Sequence, residues 1–190
     1  GTMWVAVGGG GTNSIAYSSN GINWIAIPNS SNTFTASGIG VASNGTMWVA
    51  VGQATNCIAY SYNGITWNGI LSATNTFDTW GWGVASNGTM WVAVGQGNNS
   101  IAYSYNGIDW IWIPDNDPNT FSSGFGVAWN GTMWVAVGSG RNSIIYSSNG
   151  ISWTPVQNST NTFTTGNGVA WNGTMWVAVG GGGTNSIAYS

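Results

Sequence analysis

Ionisable side chains are almost absent from this sequence, and histidine is missing altogether. Lys and Arg together occur once, as Arg141, against four acidic residues, Asp78, Asp109, Asp115 and Asp117. One cation cannot neutralise a row of phosphates, which excludes nucleic-acid binding by the usual electrostatic route. Without histidine the chain lacks the commonest general base and the imidazole metal ligand. We therefore expect no enzyme, no bound metal and no cofactor.

Cysteine and long apolar runs are scarce as well. Cys57 is the single cysteine, so an intramolecular disulfide is excluded, and serine fills its place in the other copies of the repeat described below. No apolar run reaches the roughly 18 residues of a membrane span. With charged residues at only 3%, solubility must rest on Asn, Ser, Thr and Gly. That composition favours an extracellular or virion-surface protein.

What the sequence does contain is a repeat. The octapeptide Gly-Thr-Met-Trp-Val-Ala-Val-Gly begins at residues 1, 45, 88, 131 and 173. A fixed period of roughly 40–50 residues is typical of propellers and solenoids. We interpret residues 1–190 as one repeat domain with units of about 43 residues, four of them complete and the last partial.

Each unit reads as four short strands, which we call A to D. In the unit around the third octapeptide, Asn87-Gly88 between two apolar runs predicts a hairpin with a type I′ turn. Strand B (89–94) is apolar on both faces, as expected of a strand buried on both sides. The other strands of this unit are A (82–86), C (100–104) and D (108–113). Four strands per period predict the blade of an all-β propeller, and a solenoid is the alternative.

A heptapeptide between strands C and D strengthens this interpretation. Ser18-Ser19-Asn20-Gly21-Ile22-Asn23-Trp24 resembles the Asp-box of sialidase-type (BNR) propellers, written Ser-x-Asp-x-Gly-x-x-Trp. It recurs at 61–67 and 104–110, and the fourth copy, at 148–153, has two serines, Ser147 and Ser148, ahead of its Asn149. Asn stands where the family has Asp, and the residue between it and Gly is absent. The resemblance implies a turn between the third and fourth strands of a blade.

The resemblance implies a fold and not an activity. Hydrolases of the sialidase family use a trio of arginines for the substrate carboxylate and a tyrosine nucleophile assisted by a carboxylate. This chain has only Arg141, so the activity is not carried over. The box is a folding element in the family.

The two ends of the chain duplicate each other, because residues 1–18 and 173–190 are identical. The first unit has no strand A, and the last unit runs only to strand C. Three arrangements remain open: five blades, four blades with one spare hairpin, or one segment of a longer array. We expect about five blade-like units, in a ring or in an assembly of chains paired through incomplete end blades.

Tryptophan is abundant, and most of the indoles recur with the repeat. Those of strands B and D are expected to fill the space between blades. Three have no such counterparts, and the B–C and D–A loops also differ between copies, as binding loops on a rigid scaffold do. The candidate ligand-binding residues are therefore Trp80, Trp82, Trp112, Gln53, Gln96, Asn98, Asp115 and Arg141, with extra packing and neutral drift as alternatives.

Aromatic faces beside amide groups are a common way to hold a sugar. The acidic pair around Asn116 offers too few oxygens for a calcium loop and is expected to form a solvated turn. The sequence therefore predicts a non-catalytic, lectin-like binding or display propeller. The alternative is a structural, self-assembling repeat protein with no small ligand.

Overall fold

The computed structural model describes residues 3–9, 11–53, 56–70, 77, 79–114 and 116–190. Within them lie eighteen strands and two single helical turns. Unit 1 comprises β1 (Trp4–Val7), β2 (Ile15–Ser18) and β3 (Ile25–Ala26); unit 2 comprises β4 (Ser37–Ser43), β5 (Trp48–Gln53), β6 (Ile58–Ser61) and β7 (Asn68–Gly69). Unit 3 comprises β8 (Trp80–Ser86), β9 (Trp91–Gln96), β10 (Ile101–Ser104) and β11 (Ile111–Ile113).

Units 4 and 5 continue the pattern. Unit 4 comprises β12 (Ser123–Trp129), β13 (Trp134–Ser139), β14 (Ile144–Ser147) and β15 (Thr154–Pro155); unit 5 comprises β16 (Thr165–Trp171), β17 (Trp176–Gly181) and β18 (Ile187–Tyr189). A 3₁₀ turn (Ser30–Asn32) precedes β4, and a short helix α1 (Ser159–Thr162) precedes β16. Consecutive strands of a unit pair antiparallel. The predicted all-β fold of about five blade-like units is confirmed.

The A–B hairpins form as predicted, but the type of turn is different. Trp129 pairs with Trp134, so the loop holds the four residues between them. The backbone N–H of Asn130 donates to the carbonyl of Met133 at 3.2 Å, and Asn130 Oδ1 accepts the N–H of Met133 at 2.7 Å. Only Gly131 of this loop has a positive φ, of 103°. The prediction of a two-residue type I′ turn was therefore wrong. Asn130 closes the loop through its side-chain oxygen and does not adopt the positive φ that a type I′ turn requires.

The Asp-box-like heptapeptide turns the chain between strands C and D, where the resemblance placed it. Ser104 Oγ accepts the N–H of Gly107 at 2.9 Å, and Asn106 Oδ1 accepts the N–H groups of Ile108 and Asp109 at 2.9 and 2.8 Å. The indole N–H of Trp110 donates to the Gly107 carbonyl at 3.2 Å. An amide oxygen thus supplies the acceptors that this loop uses, and no charge is required.

Asn149, the corresponding residue of unit 4, gives a direct test of that conclusion. Asn149→Asp keeps an acceptor for the N–H groups of Ile151 and Ser152 and is expected to change the free energy of unfolding by less than about 0.5 kcal/mol. Asn149→Ala removes the acceptor and is expected to cost about 1–2 kcal/mol. Urea unfolding of both variants measures the difference. Equal losses would show that the side-chain NH₂ group of Asn149, and not its oxygen, stabilises the loop.

The A strands form the innermost layer, where neighbouring units come closest. β4, β8, β12 and β16 lie side by side in that order. A Cβ added to Gly83 of β8 would lie 3.2 Å from the carbonyl oxygen of Phe125 and 3.3 Å from Gly126 Cα on β12. Glycine at this position therefore sets the spacing between blades. Just before it, each of the four strands carries a β-bulge.

Strand B is buried on both faces, as predicted. In unit 3, Val92 and Val94 pack with Trp134 and Trp153 of unit 4. On the other face of the same strand, Trp91 packs with Met47 and Val49 of unit 2, together with Ala93. The prediction that the repeating indoles fill the space between blades is confirmed inside the arc.

The five units form an open arc. The described strands of unit 1 make no extensive contact with those of unit 5. Trp4 and Trp24 of unit 1 and Met175 and Val179 of unit 5 are exposed, although their counterparts in unit 3 are wholly or largely buried. The outer faces of the two end units are therefore uncovered in this chain.

Candidate ligand-binding site on the inner strands

Three predicted site residues lie in one row at the start of an inner strand. Trp80, the first residue of β8, pairs with Gln96 of its own unit and with Gln53 of the preceding unit. The same double pairing recurs where Ser123 meets Gln96 and Thr165 meets Ser139. Because strand A begins where two B strands end, residues far apart in sequence meet at this edge of the arc.

The two non-periodic indoles of β8 form a stacked pair. The rings of Trp80 and Trp82 are 4.9 Å apart and 7° from parallel, and Phe125 of β12 meets Trp82 edge-on at 5.6 Å. Trp82 is the extra residue of the β8 bulge, since the register shifts between Gly81 and Gly83. The bulge thus holds both indoles together. Both side chains are half-buried, so the pair leaves aromatic surface open to solvent.

The two polar residues that pair with Trp80 in the sheet, Gln53 and Gln96, are uncharged. Gln53 is half-buried and Gln96 is exposed. The indole Nε1 of Trp82 is buried and has no hydrogen-bond partner, which leaves a donor to be satisfied. Asn98 and Arg141 lie in the loops after β9 and β13, at the same edge of the arc. The described residues hold no group of three or more His, Cys, Asp or Glu that could bind a metal ion.

Not every predicted residue joins this site. Trp112 lies on the outer strand β11, where it pairs with Ala102 and is 47% exposed. It belongs to a different layer of the blade, so its grouping with Trp80 and Trp82 was wrong. Asp115 lies outside the described residues. Phe125 was not predicted, although it occupies the same repeat position as Trp82, and that aromatic match was the available signal.

A separate apolar groove of about 450 Å³ lies between units 4 and 5. Met133 and Val135 line one side, and Trp176, Ala188 and Tyr189 line the other. Between units 3 and 4 the corresponding place holds Trp153 of the box. The groove contains no predicted site residue and continues the blade interface.

No described helix is long and apolar enough to cross a membrane.

Solved structures with a similar fold are β-propeller proteins. A chain of a nidogen/laminin complex superposes with a TM-score of 0.68 at 12% identity, covering 94% of this chain and 70% of that one. YCF48 bound to D1 peptide gives 0.62 at 14% identity, covering 94% and 57%. A GH74 enzyme of Niastella koreensis gives 0.56 at 18% identity, covering 82% and 23%.

These similarities show the fold alone, because all the identities are low. The chain is a β-propeller repeat protein. No protein-family model and no curated protein matches the sequence, so the more specific resemblance to Asp-box propellers stays a prediction.

Proposed function

We propose that this chain is a non-catalytic binding propeller that holds uncharged glycans at the inner-strand aromatic cluster. The observation that carries the proposal is the stacked, half-buried pair of Trp80 and Trp82, with Gln53 and Gln96 as the strand partners of Trp80. An indole face binds the apolar C–H face of a sugar, and amide groups exchange hydrogen bonds with hydroxyls. These residues therefore suit an uncharged ligand that carries several hydroxyl groups.

Charge defines the class of ligand further. Trp80, Trp82, Phe125, Gln53 and Gln96 include no ionisable group. A sulfated or sialylated sugar would find no cation among these five side chains, whereas a neutral hexose or N-acetylhexosamine would leave no buried charge unpaired. These five side chains also include no carboxylate pair of the kind that glycoside hydrolysis uses, which supports a binding role. The low charge of the chain supports an extracellular or virion-surface setting.

Removing the inner-strand indoles tests the proposal. Trp80→Ala and Trp82→Ala are each expected to weaken binding of a neutral glycan at least tenfold, since each removes part of the stacking surface. Trp112→Ala removes an equally large, 47% exposed indole from the outer strand and serves as the matched control. The measurement is a neutral-glycan array followed by calorimetry on any hit, with the thermal midpoint recorded for each variant. A hit that Trp112→Ala removes and Trp82→Ala leaves would contradict the proposal.

A second role is favoured by a different observation. The outer faces of units 1 and 5 are apolar and uncovered, as expected of a repeat protein that assembles from several chains. This role does not depend on the aromatic cluster and is compatible with glycan binding.

A further inference from the structure

The two end faces of the arc carry large exposed apolar side chains. On unit 5, Met175, Val179 and Ile187 are 36%, 43% and 63% exposed, and on unit 1, Trp4 and Trp24 are 58% and 44% exposed. Counterparts inside the arc are better covered: Met47, Val51, Ile58 and Trp91 are all at or below 5% exposed, and Trp110, at the repeat position of Trp24, is half-buried. The end faces therefore have the composition of a blade interface.

One contact is repeated at each of three internal interfaces. The methionine that precedes strand B packs against the glycine of the next unit's box. A Cβ on Gly107 would lie 2.6 Å from Met47 Sδ and 3.2 Å from Val49 Cγ2, and a Cβ on Gly150 would lie 2.8 Å from Met90 Sδ. Gly64 meets Met3 in the same way, at 2.6 Å. A Cβ at any of these positions would lie closer than 3 Å to the methionine sulfur, so the methionine would have to move.

The two end faces are the two halves of this same interface. Met175 of unit 5 has the repeat position of Met47, and Gly21 of unit 1 has that of Gly107. Within the chain, a Cβ on Gly21 would approach only Trp4 of its own unit, at 3.6 Å. The box tryptophan, Trp24, is likewise left without the preceding blade that covers Trp110 in unit 3. The unit 5 face thus presents the methionine of the repeated contact, and the unit 1 face presents the glycine and the tryptophan.

We propose that a second copy of this chain docks head to tail, with the unit 5 face of one copy on the unit 1 face of the other. Met175 of one copy contacts Gly21 and Trp24 of the next, as Met47 contacts Gly107 and Trp110 within the chain. We identify the partner as a second copy because equivalent pairs of faces already pack together at the internal interfaces of the chain. Because the two faces differ, the contact is heterologous and generates a ring or a filament.

The first test is the mass of the 190-residue chain in sedimentation velocity as a function of concentration. We expect it to rise above the 19.7 kDa of one chain. Ile187→Lys places a charge in the unit 5 face and is expected to weaken association at least tenfold. Ile111→Lys is the matched control, since Ile111 is 49% exposed on an outer strand in the middle of the arc, and it is expected to associate like the wild type.

Gly21→Ala tests the other face with the smallest possible change. The added methyl group meets only ordinary contacts within the chain, but it would press on Met175 of the second copy. We expect at least a tenfold loss of association. Gly45→Ala is the control, because Gly45 also has a positive φ, of 94°, and a Cβ there meets nothing within 4 Å.

Mixing the two interface variants decides the geometry. Ile187→Lys and Gly21→Ala alone are expected to be monomers, whereas their mixture retains one intact junction and gives complexes of two chains. A wild-type mass of 19.7 kDa at every concentration would overturn the proposal. This holds also if the monomer closes its ring within one chain. The proposal would also be overturned by a mixture that stays monomeric, or by a Gly21→Ala variant that associates as well as Gly45→Ala. If Ile187→Lys loses its fold by circular dichroism, the comparison of Gly21→Ala with Gly45→Ala decides alone.

Discussion

Gly107→Ala is expected to lower the free energy of unfolding by about 3 kcal/mol. The residue has a φ of 74°, where a Cβ costs roughly 1–2 kcal/mol. The added carbon would also lie 2.6 Å from Met47 Sδ and 3.1 Å from Trp91 Nε1, and overpacking of this kind costs about 1–3 kcal/mol more. Urea unfolding followed by circular dichroism measures the loss.

Gly88→Ala separates the two contributions. Gly88 has a φ of 98°, and a Cβ there meets nothing within 4 Å, so only backbone strain remains and the expected loss is about 1–2 kcal/mol. Equal losses for the two variants would show that the methionine does not hold the blades together through this contact.

Phe121→Ala is expected to destabilise the chain by about 3–5 kcal/mol, as for other large-to-small substitutions in a packed core. Phe121 is 2% exposed and packs in the cluster between units 3 and 4. Its ring lies on Gly138, since a Cβ on that glycine would be 2.8 Å from Phe121 Cγ. The same Phe–Gly pair recurs in three other units. Removing the ring therefore leaves a cavity at the point where two blades meet.

Phe125→Ala is the matched control for this prediction. It removes the same side chain from the same unit, but Phe125 is only half-buried on the inner strand. We expect a loss of about 1 kcal/mol or less, together with weaker glycan binding. A loss at Phe121 no larger than that at Phe125 would contradict the role assigned to the phenylalanine between blades.

The features predictable from sequence were those fixed by local chemistry. The repeat gave the blade pattern, and Asn-Gly gave the A–B hairpin even though the turn type was wrong. The box loop forms where the resemblance placed it because Ser104 and Asn106 bond backbone groups within three residues. The double-sided burial of strand B followed from its composition. All of these depend on contacts within one repeat unit or between adjacent ones.

The set of residues that form the site depends on how strands of neighbouring blades pair, and it was predicted only in part. Trp80, Gln53 and Gln96 meet because strand A of one blade pairs with strand B of the previous blade. The bulge that holds Trp82 beside Trp80 leaves no mark in the sequence beyond its glycines. Trp112 could have been excluded from this site on the sequence alone, since its repeat position assigns it to the outer strand. Closure of the arc was not predictable, because identical end segments fit several arrangements.

The most direct test of the central claim is a ¹H–¹⁵N spectrum of the tryptophan indole groups during titration with a neutral glycan from the array. Assignment of the Trp80, Trp82 and Trp112 signals uses single Trp→Phe variants. We expect the Nε1–H signals of Trp80 and Trp82 to shift with a common saturation, while the Trp112 signal stays fixed. Saturating shifts at Trp112 with none at Trp80 and Trp82, or no shift of any indole at millimolar glycan, would contradict the account.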